Sequence, residues 1–326
     1  MKVVIPVAGL GTRLRPHTYS KPKPLVHVAG KPVLGHILDQ LRSLPVEEII
    51  FITGYLGYQI EEYVRANYDF PVRFVEQTEL RGQAHAIHLA ADLIDQPVMI
   101  IFVDTIIKAD LATLPETVDD GVLFVREVED PRRFGVAVLK DGYVSRLVEK
   151  PQQPVSRLAV VGVYYLKNWQ LLREALQEVL DRDLQTAGEY YLADALQVMI
   201  DHGARLRANE VEIWEDCGTL DALLQTNRYL LGNGFSQEDT PTVNSIIIPP
   251  VYVARSARVE NSILGPYASI ADNAIVIGSI IRDSIVSDGA RIVDGSLAGS
   301  LIGSNASVSG RTSRLNVGDQ SQVDVE

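Results

Sequence analysis

From residue 242 onward, aliphatic side chains recur every five or six positions, at Val253, Val259, Leu264, Ile270, Val276, Ile281, Val286, Ile292, Leu297, Ile302 and Val308. That spacing matches neither the 3.6-residue period of an amphipathic helix nor the two-residue alternation of a half-buried strand. Small and turn-forming residues fill the gaps. Such a chain buries its apolar residues by stacking coil on coil, each aliphatic side chain lying on its equivalent in the next coil. The reading is a parallel β-helix over residues 242–326, with a plain antiparallel β-sandwich as the alternative. The tail "RTSRLNVGDQSQVDVE" is polar and less regular, and is expected to be partly loose.

Residues 1–234 follow a different rhythm. The apolar runs "VVIPVA", "EEIIFIT", "VRFVEQ" and "VMIIFVD" read as strands covered on both faces, which suits a parallel sheet. Helical periodicity separates them: "PVLGHILDQLRSL", with Pro32 at a first helical position, then "GYQIEEYVRANY" and "QAHAIHLAADLI". After residue 120 the strands "GVLFVREV", "FGVAVL", "YVSRLVEK" and "LAVVGVYYL" follow one another without long helices, which implies an antiparallel extension. Helices return at "WQLLREALQEVL", "EYYLADALQVMI" and "LDALLQTNRYLL", before the break "GNG". The class is α/β, a Rossmann-like mixed sheet over 1–234 followed by the β-helix, and 326 residues accommodate about two such domains.

Between the first strand and the first helix lies "VAGLGTRLRPHTYSKPKPL", with two glycines and the cations Arg13, Arg15, Lys21 and Lys23. Glycines after a strand let backbone N–H groups converge on an anion. Thr12 offers a hydroxyl, Arg13 a planar fork suited to phosphate oxygens and Lys23 a compact cation, while Pro16, Pro22, Pro24 and Pro32 stiffen the segment. The pattern is neither a P-loop nor a dinucleotide fingerprint. A glycine-rich turn or a solvated basic loop is the plainer reading. Because the whole chain carries a formal net charge of −12, nucleic acid is not an expected partner and any anion site must be local.

No apolar run approaches the roughly 18 residues of a membrane span. The N-terminus reads as a first strand rather than a signal peptide, and the single cysteine, Cys217, agrees with a reducing compartment, so a cytoplasmic location is expected. One cysteine also excludes a multi-cysteine zinc site.

With these motifs in place, "AGLGTRLRPHTYSKPKPLVHVAGKP" resembles the signature of the sugar-1-phosphate nucleotidylyltransferases. These enzymes join a nucleoside triphosphate to a sugar 1-phosphate and release pyrophosphate. "RGQAHA" resembles their base-contacting loop, "VEKP" the sugar-phosphate segment and "WEDCGT" the second metal segment, in the same order. The C-terminal repeats resemble the left-handed β-helix of long-form members, particularly glucose-1-phosphate thymidylyltransferases.

The resemblance implies that Gly9, Gly11, Thr12 and Arg13 hold the triphosphate, with Lys23 near the α-phosphate. It places Gln77 and Gly82 against the base, Gly135, Glu149 and Lys150 on the sugar 1-phosphate, and Mg²⁺ on Asp104 and Asp216. Arg13, Lys23 and Lys150 would be the catalytic cations. Each carboxylate or cation has a plainer role open to it: a turn for Asp104, a helix N-cap for Asp216, a strand-end surface charge for Lys150. Asp104 follows an apolar run and so stands at the carboxyl end of a buried strand, where open α/β sheets bind ligands. His85 and His88 read as structural, and Cys217 as a packed residue.

Two departures stand out: Val103 and Thr105 flank the aspartate where most members have Gly and a residue such as Asn, and His27 stands where many carry proline. The implied substrates are dTTP and glucose 1-phosphate first, with UTP or GTP and glucose or mannose 1-phosphate as alternatives. A non-catalytic sugar-nucleotide sensor is the competing class. Acyltransferase chemistry on the β-helix lacks its usual base, since residues 235–326 contain no histidine. The coils are instead expected to pack on the catalytic domain or on a second copy of the chain.

Overall fold

The computed structural model describes residues 1–153, 155–237, 240–310 and 315–325. Two compact bodies emerge: residues 1–9 with 37–214, and residues 10–36 with the chain from 215 onward. The glycine-rich, basic segment from Leu10 onward therefore groups with the C-terminal strands.

In the first body, nine strands form one mixed sheet. Lys2–Pro6 lies between Glu48–Thr53 and Val98–Ile101, parallel to both, and Val72–Glu76 pairs parallel with Glu48–Thr53. These are the four runs read as strands from their unbroken apolar character. Val3, Val4, Ile5, Ile49, Ile50, Phe51 and Ile100 are fully buried, as strands covered on both faces require. The expected antiparallel extension follows: Leu158–Leu166 runs antiparallel to Val98–Ile101 and Gly121–Glu127, and Tyr143–Glu149 antiparallel to Gly135–Lys140. Leu206–Glu210, which the sequence reading did not pick out, joins parallel to Gly121–Glu127.

The helices form as α1 (Val33–Leu41), α2 (Gly57–Asn67), α3 (Gln83–Leu89), α4 (Trp169–Asp181), α5 (Leu192–Asp201) and α6 (Leu220–Leu230). Two boundaries differ from the periodicity. Pro32 does not open α1; Lys31–Pro32 pairs with His27–Val28 as a hairpin whose turn residues Ala29 and Gly30 both have positive φ, 44° and 90°. Glu189 to Tyr191 stay out of α5 because Tyr190 is tied through its backbone to Arg81 and Ala84.

In the second body, short strands form parallel sheets of four, five and five strands. One five-stranded sheet stacks Val253, Ile270, Val286, Ile302 and Val317, a step of 15–17 residues per coil. All eleven aliphatic positions of the repeat are buried in a single cluster. This series of parallel strands is consistent with a β-helix.

Corners of the coils repeat a backbone requirement. Asn244, Asn261, Gly278 and Asp294 share φ between 47° and 60°, and Asn273, Gly289, Asn305 and Gln320 share 56° to 67°. Left-handed corners favour Asn, Asp and Gly, which explains the turn-formers between the aliphatic residues. Serines complete the corners: Ser279 Oγ donates to Ile277 O (2.7 Å) and accepts from Gly295 N (3.0 Å), Ser262 repeats the pattern one coil earlier on the same column, and Ser284 repeats it on a second column. Residues 311–314 of the tail lie outside the described residues, but Asn316–Val317 and Gln322–Val325 continue two of the sheets rather than hanging loose.

Candidate active site

Three of the singled-out residues in the first body follow the carboxyl ends of parallel strands: Gly9 after Lys2–Pro6, Gln77 after Val72–Glu76 and Asp104 after Val98–Ile101. Parallel strands bring those ends to one edge of the sheet, the place where such folds bind ligands. Gln77 is buried, and its backbone N–H donates to Thr53 O at 2.8 Å. Its side-chain Nε2 donates to Gly82 O (3.2 Å) and to His85 Nδ1 (3.0 Å). Gly82 has φ 109°, and a Cβ there would sit 2.5 Å from Tyr190 O, so only glycine fits. His85 is thus a structural partner of Gln77, its pKa lowered by burial, and His88 bonds Gln177 at 2.8 Å.

The turn carrying Asp104 is fastened to a bulge in Leu158–Leu166. Phe102 N donates to Gly162 O (2.9 Å), and Thr105 Oγ1 donates to Val161 O (2.6 Å). Gly162, at φ 84°, leaves room for Phe102 and Thr105 Oγ1, each 3.3 Å from where its Cβ would be. Val103 and Thr105, which depart from the usual family pattern, are both buried. The threonine hydroxyl therefore works as a fastening for the Asp104 turn, a role invisible without the bulge.

Gly135 pairs with Glu149 across the antiparallel hairpin. A Cβ on Gly135 would lie 2.8 Å from Glu149 Oε2, so the carboxylate occupies the space that glycine vacates. Lys150 follows in a left-handed conformation, φ 42°, its N–H bound to Phe134 O at 3.1 Å. Its Nζ donates to Tyr191 Oη at 3.0 Å, stands 3.7 Å from Glu149 Oε1 and lies over the Tyr191 ring. This is a tethered cation rather than a loose strand-end charge. Burial pushes the Glu149 carboxyl up against the pull of Lys150; burial also draws the Lys150 ammonium down, but Tyr191 and Glu149 hold it above its usual value. Tyr164, a buried residue, has its phenol pushed up by burial and by the charges of Glu149 and Asp104, so these two carboxylates bear on one residue. Neither Tyr191 nor Tyr164 was singled out from the sequence. The signal for Tyr191 lay in "EYYLADAL", where two aromatics precede a helix.

In the second body, Gly11 adopts φ 61° and starts the tight turn Thr12–Leu14. Its carbonyl accepts from Leu14 N (2.9 Å) and Thr18 Oγ1 (2.8 Å). A Cβ on Gly11 would come within 3.0 Å of both Lys23 Cβ and Thr18 Cγ2, so Lys23 is folded back onto the glycine turn. Arg13 and Asp216 meet over Gly218: a Cβ there would be 3.2 Å from Arg13 Nη2 and 2.8 Å from Asp216 Oδ1. Asp216 Oδ1 accepts from Gly218 N at 2.7 Å, and the N-cap of α6 is Thr219, which accepts from Ala222 N. Asp216 is therefore not the helix cap. Cys217 is buried with its Sγ toward Thr226, a packed residue as read.

Asp104 and Asp216 offer carboxylate oxygens only, and among the described residues no three His, Cys, Asp or Glu side chains gather into a metal cage. Such oxygens, taken for each body by itself, suit a hard cation such as Mg²⁺, which binds through one or two carboxylates and takes its remaining ligands from phosphate and water.

A family model described as nucleotidyl transferase matches residues 2–233. The chain belongs to the nucleotidyl transferase family. Among its relatives, the glucose-1-phosphate thymidylyltransferase of Streptomyces griseus is 30% identical, over 100% of this chain and 99% of that protein. The UTP–glucose-1-phosphate uridylyltransferase AglF of Haloferax volcanii is 33% identical over 66% of this chain and 89% of its own. A crystal structure of UDP-glucose pyrophosphorylase complexed with UDP-glucose superposes with a TM-score of 0.63 over 71% of this chain and 98% of that one, at 23% identity, a likeness of fold. This nucleotidyl transferase is a sugar-1-phosphate nucleotidylyltransferase. Among its described residues no helix is long and apolar enough to cross a membrane.

Proposed function

We propose that this enzyme transfers the nucleotidyl group of dTTP to glucose 1-phosphate, giving a nucleoside diphosphate sugar and pyrophosphate, with UTP as the second candidate donor. An oxygen of the sugar phosphate attacks the α-phosphorus, the bond from that phosphorus to the bridging oxygen breaks, and the electron pair leaves with pyrophosphate. Gly9, Gly11 and Thr12 cradle the triphosphate, Arg13 forks onto its oxygens, and Lys23 neutralises charge near the α-phosphate. Lys150 holds the attacking phosphate, while Glu149, above Gly135, accepts from sugar hydroxyls. Asp104 and Asp216 would hold Mg²⁺, which when bound offsets phosphate charge.

What supports a thymine or uracil base is Gln77. Its amide nitrogen donates to Gly82 O and His85 Nδ1, so what the side chain has left to offer a base is the acceptor Oε1. An acceptor suits the imide N–H of thymine or uracil and opposes the ring acceptors of cytosine and adenine. The preference for dTTP rests on the thymidylyltransferase relative, whose match spans the C-terminal coils as well. In the same reading residues 1–234 form the catalytic domain, the coils of 242–326 wind left-handed and join copies of the chain, and the reaction is cytoplasmic.

The test is pyrophosphate release with five nucleoside triphosphates against glucose 1-phosphate and mannose 1-phosphate, with Asp104→Asn as control. Release with dTTP or UTP, lost in the variant, bears the reading out. Release only with ATP or CTP overturns the base assignment, and nucleotide binding without release of pyrophosphate favours a sensor.

A further inference from the structure

Within the second body, one corner of the coils carries a column of polar residues at Asp272, Asp288, Ser304 and Asp319, spaced 15–16 residues apart in successive coils. From Asp288 onward the column is bonded from coil to coil: Ser304 Oγ to Asp288 Oδ1 at 3.0 Å, and Ser304 N to Asp319 Oδ1 at 2.7 Å. A solvated edge would leave these side chains to water. Here the loop that follows the glycine turn is fastened to them. Lys21 Nζ donates to Asp288 Oδ1 (3.0 Å) and Ser304 Oγ (2.7 Å), Ser20 Oγ donates to Asp319, and the buried His17 bonds through Nε2 to Asn316 Oδ1 at 2.6 Å. Pro16 adds an apolar contact, since a Cβ on Gly318 would lie 2.9 Å from its ring.

These fastenings connect to the glycine turn through two residues. Thr18, next to His17, donates its hydroxyl to Gly11 O and packs against the glycine turn; Lys23, two residues beyond Lys21, packs on the same glycine. Moving residues 17–21 by an ångström therefore moves the N–H groups at 11–13 and the Lys23 cation together, and misplacement on that scale costs about 100-fold in a positioned reaction.

We propose that Asp288, Asn316 and Asp319 are positioning residues for the nucleoside triphosphate, acting through Lys21, His17 and Ser20, so that the coil stack holds the phosphate loop in its binding conformation. The inference rests on the reading of residues 9–23 as the triphosphate loop. Lys21 and His17 thereby acquire a role distinct from that of the phosphate-binding cations Arg13 and Lys23.

The experiment combines kinetics and amide hydrogen exchange on the full chain for Asp288→Ala, Lys21→Asp, the exchanged pair Lys21→Asp with Asp288→Lys, and Arg258→Ala as a control elsewhere on the coils. The expected result is faster exchange at residues 11–23 in Asp288→Ala and a KM for the triphosphate raised about 10-fold or more, with the KM for the sugar phosphate within about twofold and recovery in the exchanged pair. Unchanged exchange at 11–23 overturns the fastening. A uniform loss of both KM values, kcat and melting temperature, without recovery in the exchanged pair, overturns it in favour of a purely structural contact. Faster exchange at 11–23 with an unchanged triphosphate KM removes the premise that this loop binds nucleotide, and overturns the inference at that point rather than at the fastening.

Discussion

Replacing Tyr191 by Phe removes a single oxygen from beneath Lys150 and leaves the ring that lies 4.8 Å from Nζ. The interaction lost is the 3.0 Å bond from Nζ to the hydroxyl. Hydrogen bonds to charged groups contribute about 1.5–3 kcal/mol. The lysine side chain is 54% exposed, however, so water replaces part of that bond, and a loss of about 1 kcal/mol remains. That corresponds to about a fivefold weaker hold on the sugar phosphate. Because the buried ring is retained, the melting temperature should move by less than about 4 °C. Initial rates of pyrophosphate release, with each substrate varied in turn, give the answer. The KM for the sugar phosphate should rise about fivefold while that for the triphosphate stays put. An unchanged sugar-phosphate KM, or an equal rise in both, would refute the assignment of Lys150 and its tether to the sugar-phosphate side.

Gly82→Ala places a methyl 2.5 Å from Tyr190 O at φ 109°, a backbone clash with no flexible side chain to absorb it. It should destabilise the protein by about 2–4 kcal/mol in urea titration and weaken triphosphate binding; an equally stable variant contradicts the packing argument. Ser279→Ala strips the buried corner of a hydroxyl that serves Ile277 O and Gly295 N, and a loss of about 1–3 kcal/mol is expected, read from the urea midpoint. Asp288 supplies a pH effect. Burial pushes its carboxyl up, but Lys21, His27 and Ser304 hold it below its ordinary 3.8. A depressed folded-state pKa means the native protein binds fewer protons than the unfolded chain, so this stability is present above about pH 4 and is lost as pH falls through the folded value. Acid unfolding of Asp288→Asn should accordingly be shallower than that of the wild type, and coincident curves would show that Asp288 contributes nothing there.

The two halves were legible for different reasons. Unbroken apolar strands and a five-to-six-residue aliphatic repeat each have one economical burial, and the structure places Val4, Ile50 and Ile100 in one core and Val253 through Val308 in another. Gly11 was legible as a glycine following a strand, and Gly82 and Gly135 only through the resemblance; the structure supplies the steric demand each meets, Gly11 against Lys23, Gly82 against Tyr190, Gly135 beneath Glu149. What stayed hidden depends on long-range contact. Tyr191 stands 41 residues from Lys150, Thr105 stands 56 from Val161, and Asn316 stands 299 from His17. No local spacing encodes such pairs. Pro32 was misread for a related reason, because a helix start and a hairpin strand ending in proline look alike until Ala29 and Gly30 are seen to turn.

The account's central claim is nucleotidyl transfer onto a sugar 1-phosphate, and phosphorus NMR of the purified protein with dTTP, glucose 1-phosphate and Mg²⁺ tests it most directly. The account predicts that the triphosphate and sugar-phosphate resonances decline in equal amounts while pyrophosphate and a two-phosphorus sugar nucleotide appear in equal amounts. Loss of dTTP to diphosphate and inorganic phosphate, with glucose 1-phosphate untouched, would contradict it.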